Sequence, residues 1–254
     1  MKSFSLGKIF GIEVGLHWSV LLLAYIGFAM ASGNITSALK LANHPQTLYI
    51  TLALNISSIL VAVLFVASVL AHEFAHALVG RRLGVGFKGI TLFALGGIAQ
   101  MTESPPTAKV EFLMAGAGPL YSIVSGVVFF LAGILLAYLP FVTMKFAATS
   151  FLLLGIVNVW LGLFNLIPMW PTDGGRLLRS GLWALTKNQK VSTYIAGYIG
   201  MAFAAMFVVT GIAMSVGISI PVFGVGISSG LWMALIGALI FFMARSEVLR
   251  IGKL

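Results

Sequence analysis

Two histidines and a glutamate in one short segment have the types and spacing of a zinc site. The segment His72-Glu73-Phe74-Ala75-His76 matches the pattern H-E-x-x-H. Residues four positions apart on a helix face the same way, so both imidazoles can bind one Zn²⁺ ion. The glutamate between them can take a proton from a water that the ion activates. This arrangement favours metal-assisted hydrolysis.

A catalytic zinc ion usually has three protein ligands, so a third residue is required. The chain has no cysteine and only six acidic residues, and Glu73 is already assigned as the base. Asp173 closes a proline-interrupted turn at residues 165–174 and is our candidate. A structural alternative is that Asp173 only pairs with Arg176. The remaining acidic residues lie in or beside charged loops: Glu13, Glu103, Glu111 and Glu247.

The composition indicates a membrane protein. Hydrophobic residues make up 60% of the chain and charged residues 8%, against about 25% charged residues in an ordinary soluble domain. A helix needs about 20 apolar residues to cross the hydrocarbon region. We interpret the first such run as a retained helix and not as a cleaved signal peptide. The sequence thus predicts an all-α polytopic membrane protein with six transmembrane helices, at residues 14–31, 49–79, 112–139, 146–166, 194–216 and 225–244.

The distribution of basic residues predicts the orientation. Thirteen of the fifteen lysines and arginines lie at the two ends and in alternate loops, and only Lys40 and Lys145 lie in the opposite loops. Cytoplasmic loops collect these residues, so we expect both termini in the cytoplasm. The second and fourth spans then both run towards the cytoplasm, which allows His72 and Asp173 to meet. The net charge of +9 follows from this topology and does not indicate nucleic acid, because no basic face or nucleic-acid motif is present.

The loop between the second and third spans has the pattern of a β-hairpin. Residues 85–101 read VGFKGITLFALGGIAQM, in which β-forming residues flank a glycine pair. We predict a small membrane-associated hairpin here, with a surface loop as the alternative. An extended substrate can pair with such a strand through main-chain groups. The candidate substrate-binding residues are Ile90, Thr91, Leu92, Phe93, Ala94 and Leu95.

Two motifs together carry a family resemblance. The segment H-E-F-A-H in one span, followed by N-L-I-P-M-W-P-T-D-G at residues 165–174, resembles the site-2 protease family of intramembrane zinc metalloproteases. The resemblance implies a catalytic core at about residues 48–180 and one zinc ion per chain. It implies that His72, His76 and Asp173 bind the zinc, that Glu73 is the general base, and that Asn165 assists catalysis.

The same resemblance implies what the protein acts on. Family members cut a peptide bond within or near the transmembrane segment of a membrane-anchored protein, such as a regulator or a signal-peptide remnant. The expected location of the protein is a prokaryotic cell membrane. Residues 115–122 are similar to a glycine-proline element of the family's third span, although Ser122 stands where Asn is common. We see neither a PDZ insertion nor a CBS pair after Leu254, and so predict a single domain at residues 1–254. Whether a C-terminal domain was removed stays open.

Two other classes of function fit the motifs less well. A metal transporter or channel would use His72, Glu73, His76 and Asp173 to line a path, but it predicts further polar residues towards the outer face and often repeat symmetry. A substrate-binding pseudoprotease would not need to retain Glu73. His17 is interpreted as an interfacial anchor, with a role at the metal site or as a gate as the alternative. The sequence does not determine the substrate, the cleavage site or the oligomeric state.

Overall fold

The computed structural model describes residues 3–41, 47–94, 96–218 and 227–251. The chain forms two compact units. The first contains Met1–Ser104 and Ala117–Leu163, and the second contains Pro105–Gly116 and Phe164–Leu254.

Helices make up most of the described chain. They are α1 (Val20–Leu41), α2 (Leu48–Arg82), α3 (Ala108–Ala137), α4 (Val142–Asn165), α5 (Asp173–Thr186), α6 (Gln189–Ser215) and α7 (Ile227–Ile251). Among the described residues, all of these except α5 are long and apolar enough to cross a membrane. The predicted fold class with six membrane-spanning helices is therefore confirmed. The amphipathic helix α5 was not predicted.

The outer faces of these helices are apolar and exposed. Leu131 on α3 is 54% exposed, Val209 on α6 is 67% exposed and Phe242 on α7 is 62% exposed. A soluble monomer rarely exposes apolar surface on this scale, because water disfavours it. The exposed faces suit lipid, and the chain is an integral, multi-pass membrane protein.

Four short strands form one sheet in the first unit. They are β1 (Ser3–Ile9), β2 (Ile12–His17), β3 (Phe87–Phe93) and β4 (Gly96–Met101), and they lie in the order β1-β2-β3-β4. The outer pairs are antiparallel, and β2 pairs with β3 in parallel. The predicted hairpin is confirmed as β3 and β4. It belongs to a larger sheet, because a second hairpin at the N-terminus joins it.

The first transmembrane helix begins later than predicted. We expected a span from residue 14, but Val14 lies in β2 and α1 starts at Val20. In β2, Ile12 and Val14 are buried whereas Glu13 between them is exposed. This alternation is the period of a strand with one buried face. The apolar residues of β2 lead directly into those of α1, so a count of apolar residues merges the two elements.

Helix α2 is the central element of the first unit. It begins at Thr47, whose hydroxyl accepts a hydrogen bond from the Ile50 amide, and ends with Arg81 and Arg82 in its last turn. Basic residues are favourable there because the helix C-terminus carries a partial negative charge. The N-terminal half of α2 packs with α1 and α4, and its C-terminal half packs against β2 and β3. The H-E-x-x-H segment lies in that C-terminal half.

The second unit packs α5, α6 and α7 together. The core contains Met169, Ala204 and Ile240, all buried. Helices α6 and α7 approach closely at Gly211, where an added Cβ would lie 2.9 Å from the Cα of Ala234. Small residues at helix contacts are typical of membrane proteins, because they let the backbones approach.

Candidate active site

His72 and His76 lie one turn apart on α2, and their side chains converge. The two Nε2 atoms are 3.2 Å apart, and the rings meet edge to face with centroids 4.8 Å apart. Both residues are buried, with exposures of 3% and 4%. Two histidine ligands at 2.0–2.1 Å from a tetrahedral zinc ion would have their nitrogens about 3.3 Å apart. The observed separation therefore fits a shared zinc ion.

Helix α3 passes close to the two nitrogens at Gly118. A Cβ atom at Gly118 would lie 2.7 Å from Nε2 of His72 and closer still to Nε2 of His76. A residue without a side chain is therefore needed where both imidazoles point. The donor set, beside a position that a Cβ would fill, fits zinc. The sequence does not show which atoms face Gly118, so this role could not be predicted from it.

Glu73 lies next to the edge of the sheet. It is half-buried, and a Cβ atom at Gly97 would lie 2.8 Å from its Cδ and 3.1 Å from its Oε1. The backbone of β4 therefore runs directly past the carboxylate. A side chain at Gly97 would require the Glu73 side chain to shift.

The predicted substrate-binding segment lies on a strand that is paired on both sides. Strand β3 pairs with β2 on one side and with β4 on the other, so its main-chain groups are already used. Ile90 and Leu92 are fully buried in the core beneath the sheet. Thr91 and Phe93 are half-buried on β3, Ala94 follows in the turn, and Leu95 lies outside the described residues. Among the described strands, β4 forms the edge next to Glu73.

His17 ties the start of α1 to the hairpin turn. Its Nδ1 lies 2.8 Å from the Ser19 hydroxyl, and that hydroxyl accepts a hydrogen bond of 3.1 Å from the amide of Ala94. The His17 ring also packs on Phe93, with centroids 5.0 Å apart. These contacts give His17 a structural role in holding the hairpin. The neighbouring Trp18 is 67% exposed, as expected of an interfacial anchor.

Asp173 is the first residue of α5 in the second unit, and it is buried. The preceding residue, Thr172, caps the helix: its hydroxyl accepts from the Gly175 amide and donates to the carbonyls of Ile167 and Met169. A carboxylate in the first helical turn is favoured by the positive end of the helix dipole. The hydrogen bonds of Thr172 therefore fix the position of the Asp173 backbone.

The glycines after Asp173 let the proline-rich loop fold back onto the start of α5. A Cβ atom at Gly175 would lie 2.8 Å from the backbone nitrogen of Trp170. One at Gly174 would meet the carbonyl oxygens of Leu166 and Ile167. Glycine at these two positions permits close backbone approach. In the second unit, the approaching backbone is that of the loop itself.

A buried ion pair stabilises the same loop. The Nε of Arg179 on α5 donates a 2.8 Å hydrogen bond to Oε1 of Glu111 on α3. The guanidinium lies 4.7 Å from the centre of the Trp170 ring, a distance typical of cation–π contact. Glu111 is fully buried, although it stands beside a charged loop in the sequence. It lies in the first turn of α3, where the sequence alone does not show whether a glutamate is exposed or buried.

Asn165 is the last residue of α4 and is half-buried. It belongs to the second unit, as Asp173 does. The structure thus places the two histidines, Glu73 and Gly118 together in the first unit. The roles of Asn165 and Asp173 stay predictions.

The chain is similar to proteins of a known peptidase family. The sequence profile of peptidase family M50 matches residues 60–151 and 140–210. The first segment contains the H-E-x-x-H motif, and the second contains the loop that leads to Asp173.

Three relatives carry protease names. Rip3 of Mycobacterium tuberculosis, named as a candidate zinc metalloprotease, is 36% identical over 97% of this chain and 59% of its own length. Zinc metalloprotease MJ0392 of Methanocaldococcus jannaschii is 32% identical over 83% of this chain and 54% of its own. A solved structure, the site-2 protease from Methanocaldococcus jannaschii, is 27% identical, covers 97% of this chain and 95% of its own, and has a TM-score of 0.58. The chain spans under two thirds of the length of the first two relatives.

Proposed function

The chain belongs to peptidase family M50, and we propose that it is an intramembrane zinc metalloendopeptidase. It hydrolyses a peptide bond within or near the transmembrane segment of a membrane-anchored substrate, such as a regulator or a signal-peptide remnant. The observation that carries the proposal is the convergence of His72 and His76 on α2, with Glu73 between them. An ionisable cluster inside an apolar helix is costly, and it is retained where it has a function.

Each proposed residue has one role. When bound, zinc supplies a Lewis acid that polarises the scissile carbonyl and acidifies a water molecule. His72, His76 and Asp173 hold the ion, and the carboxylate of Asp173 offsets part of its charge. Glu73 takes the proton from the water and passes it to the leaving amine. The amide of Asn165 donates a hydrogen bond to the carbonyl oxygen of the substrate, where negative charge develops.

The basic residues support an orientation with both termini in the cytoplasm of a prokaryotic cell. Helix α2 then runs towards the cytoplasm, and His72 precedes Arg81 by nine residues. At 1.5 Å per residue, the histidine lies roughly 14 Å below the layer of cytoplasmic charges. Water then reaches the site from the cytoplasmic side, and the cleaved peptide leaves it on the same side.

The ligand assignment is tested by the zinc content of single variants. We expect His72→Ala, His76→Ala and Asp173→Ala to lose zinc and all cleavage of a co-expressed single-span protein. Asn165→Ala is the matched control, because it should keep one zinc ion per chain while its rate of cleavage falls by about 10²–10³-fold. Metal analysis of the purified proteins and immunoblotting of the substrate give the two readouts. Full zinc content in Asp173→Ala would exclude it as a ligand.

Strand β4 is the proposed docking site for the substrate. A peptide bond inside a helix is protected by its own hydrogen bonds, so the substrate must be extended near the metal. An added strand would pair with the edge of β4 that faces away from β3, about 4.8 Å from its backbone. Since β4 passes Glu73 at Gly97, pairing there would bring the extended segment beside the general base.

Proline substitutions along β4 test this docking site. Where an amide points away from β3, proline removes a donor that the substrate would use. We expect one of the alternating positions among Ile98, Ala99 and Gln100 to show reduced cleavage of a helical transmembrane substrate, with zinc content unchanged. Ile98→Ala, Ala99→Ser and Gln100→Ala are the matched controls. If all the proline variants that keep zinc cleave as fast as these controls, the substrate does not pair with β4.

A further inference from the structure

Ser122 on α3 contacts the nitrogen of His72 that faces away from His76. Its Oγ lies 2.9 Å from Nδ1 of His72, although the two residues are 50 positions apart. Both side chains are buried, and Ser122 is fully inaccessible. The Ser122 hydroxyl therefore has a defined hydrogen-bond partner, the imidazole of His72.

The contact determines which form of the imidazole is present. Nε2 of His72 points at Nε2 of His76, so Nε2 is the nitrogen available to a metal. An imidazole that binds metal through Nε2 carries its proton on Nδ1, and this N–H needs an acceptor. The Ser122 oxygen is placed to accept it, which also fixes the rotation of the ring.

A second serine on the same helix separates this role from ordinary helix packing. Ser125 lies three residues further along α3, and its hydroxyl donates to the main-chain oxygen of Ser122. Serines in membrane helices often bond to their own backbone in this way. Ser122 instead directs its side chain to another helix and to a proposed metal ligand.

We propose that Ser122 is a positioning residue that holds His72 in the tautomer and orientation needed to bind zinc. The proposal rests on the assignment of His72 as a ligand. The contact is expected to raise the affinity of the site for zinc, and it affects activity only through the bound zinc. Outer hydrogen-bond partners of metal-bound histidines typically change metal affinity by about 10–100-fold when removed.

The test measures zinc dissociation constants of the full chain in detergent by competition with a chelator. We expect Ser122→Ala to weaken zinc binding by about 10–100-fold, and Ser122→Thr, which keeps the hydroxyl, to restore most of the affinity. Ser125→Ala should bind zinc as the unchanged protein does, because its hydroxyl donates to the main-chain oxygen of Ser122. His72→Ala should lose tight binding altogether.

Two results would overturn the proposal, and they are distinguishable. If Ser122→Ala binds zinc as tightly as the unchanged protein while His72→Ala loses it, His72 is a ligand but Ser122 does not position it. If His72→Ala retains tight binding, the ligand assignment is wrong and the role of Ser122 falls with it.

Discussion

We expect Glu73→Gln to lower the rate of peptide hydrolysis by about 10²–10⁴-fold, the range typical for loss of a general base. Glutamine has nearly the same shape as glutamate but cannot take a proton from water. The two histidines are unchanged, so zinc content should stay at one ion per chain. Cleavage of a co-expressed single-span protein, measured together with the metal content of the purified variant, checks both expectations.

A second variant at the same position gives the control. Glu73→Asp keeps the carboxylate but shortens the side chain by one methylene, so we expect activity between those of the unchanged protein and Glu73→Gln. Substantial turnover by Glu73→Gln would mean that another group takes the proton. If neither the unchanged protein nor Glu73→Gln cleaves a substrate that both of them bind, the protein is better explained as a pseudoprotease.

The local parts of this structure were predictable from sequence. The spacing of His72 and His76 determines that they share a helix face, because four residues make about one turn. The hairpin of β3 and β4 follows from β-forming residues on either side of Gly96 and Gly97. In both cases the structural information lies within a few residues, and no distant partner is needed.

The parts that depend on distant residues were missed. The sequence shows a strand at Ile90 and Leu92. Only its pairing with β2, 76 residues earlier, and with β4 shows that both edges of this strand are occupied. The burial of Glu111 was not predicted, because its partner, Arg179, is 68 residues away. Helix α5 is short and polar, so hydropathy gave no signal for it.

Gly118 is the clearest case of a role that only tertiary structure reveals, and it gives a prediction with a large effect. We expect Gly118→Ala to weaken zinc binding by more than about 100-fold, beyond the range for an outer-contact residue. The added Cβ would lie 2.7 Å from Nε2 of His72 and would also meet Nε2 of His76. It would therefore occupy the volume that the ion needs. Zinc affinity by chelator competition is the measurement.

Gly116→Ala is the matched control for Gly118→Ala. Gly116 lies two residues earlier on α3, and a Cβ atom there would meet only Cδ2 of Leu177 at 3.8 Å, an ordinary contact. Each change should favour the helix by up to about 1 kcal/mol, so a helical effect would appear in both variants. We expect only Gly118→Ala to lose zinc while its circular dichroism stays that of the unchanged protein. If both variants bind zinc normally, the volume in front of the two histidines is not where the metal lies.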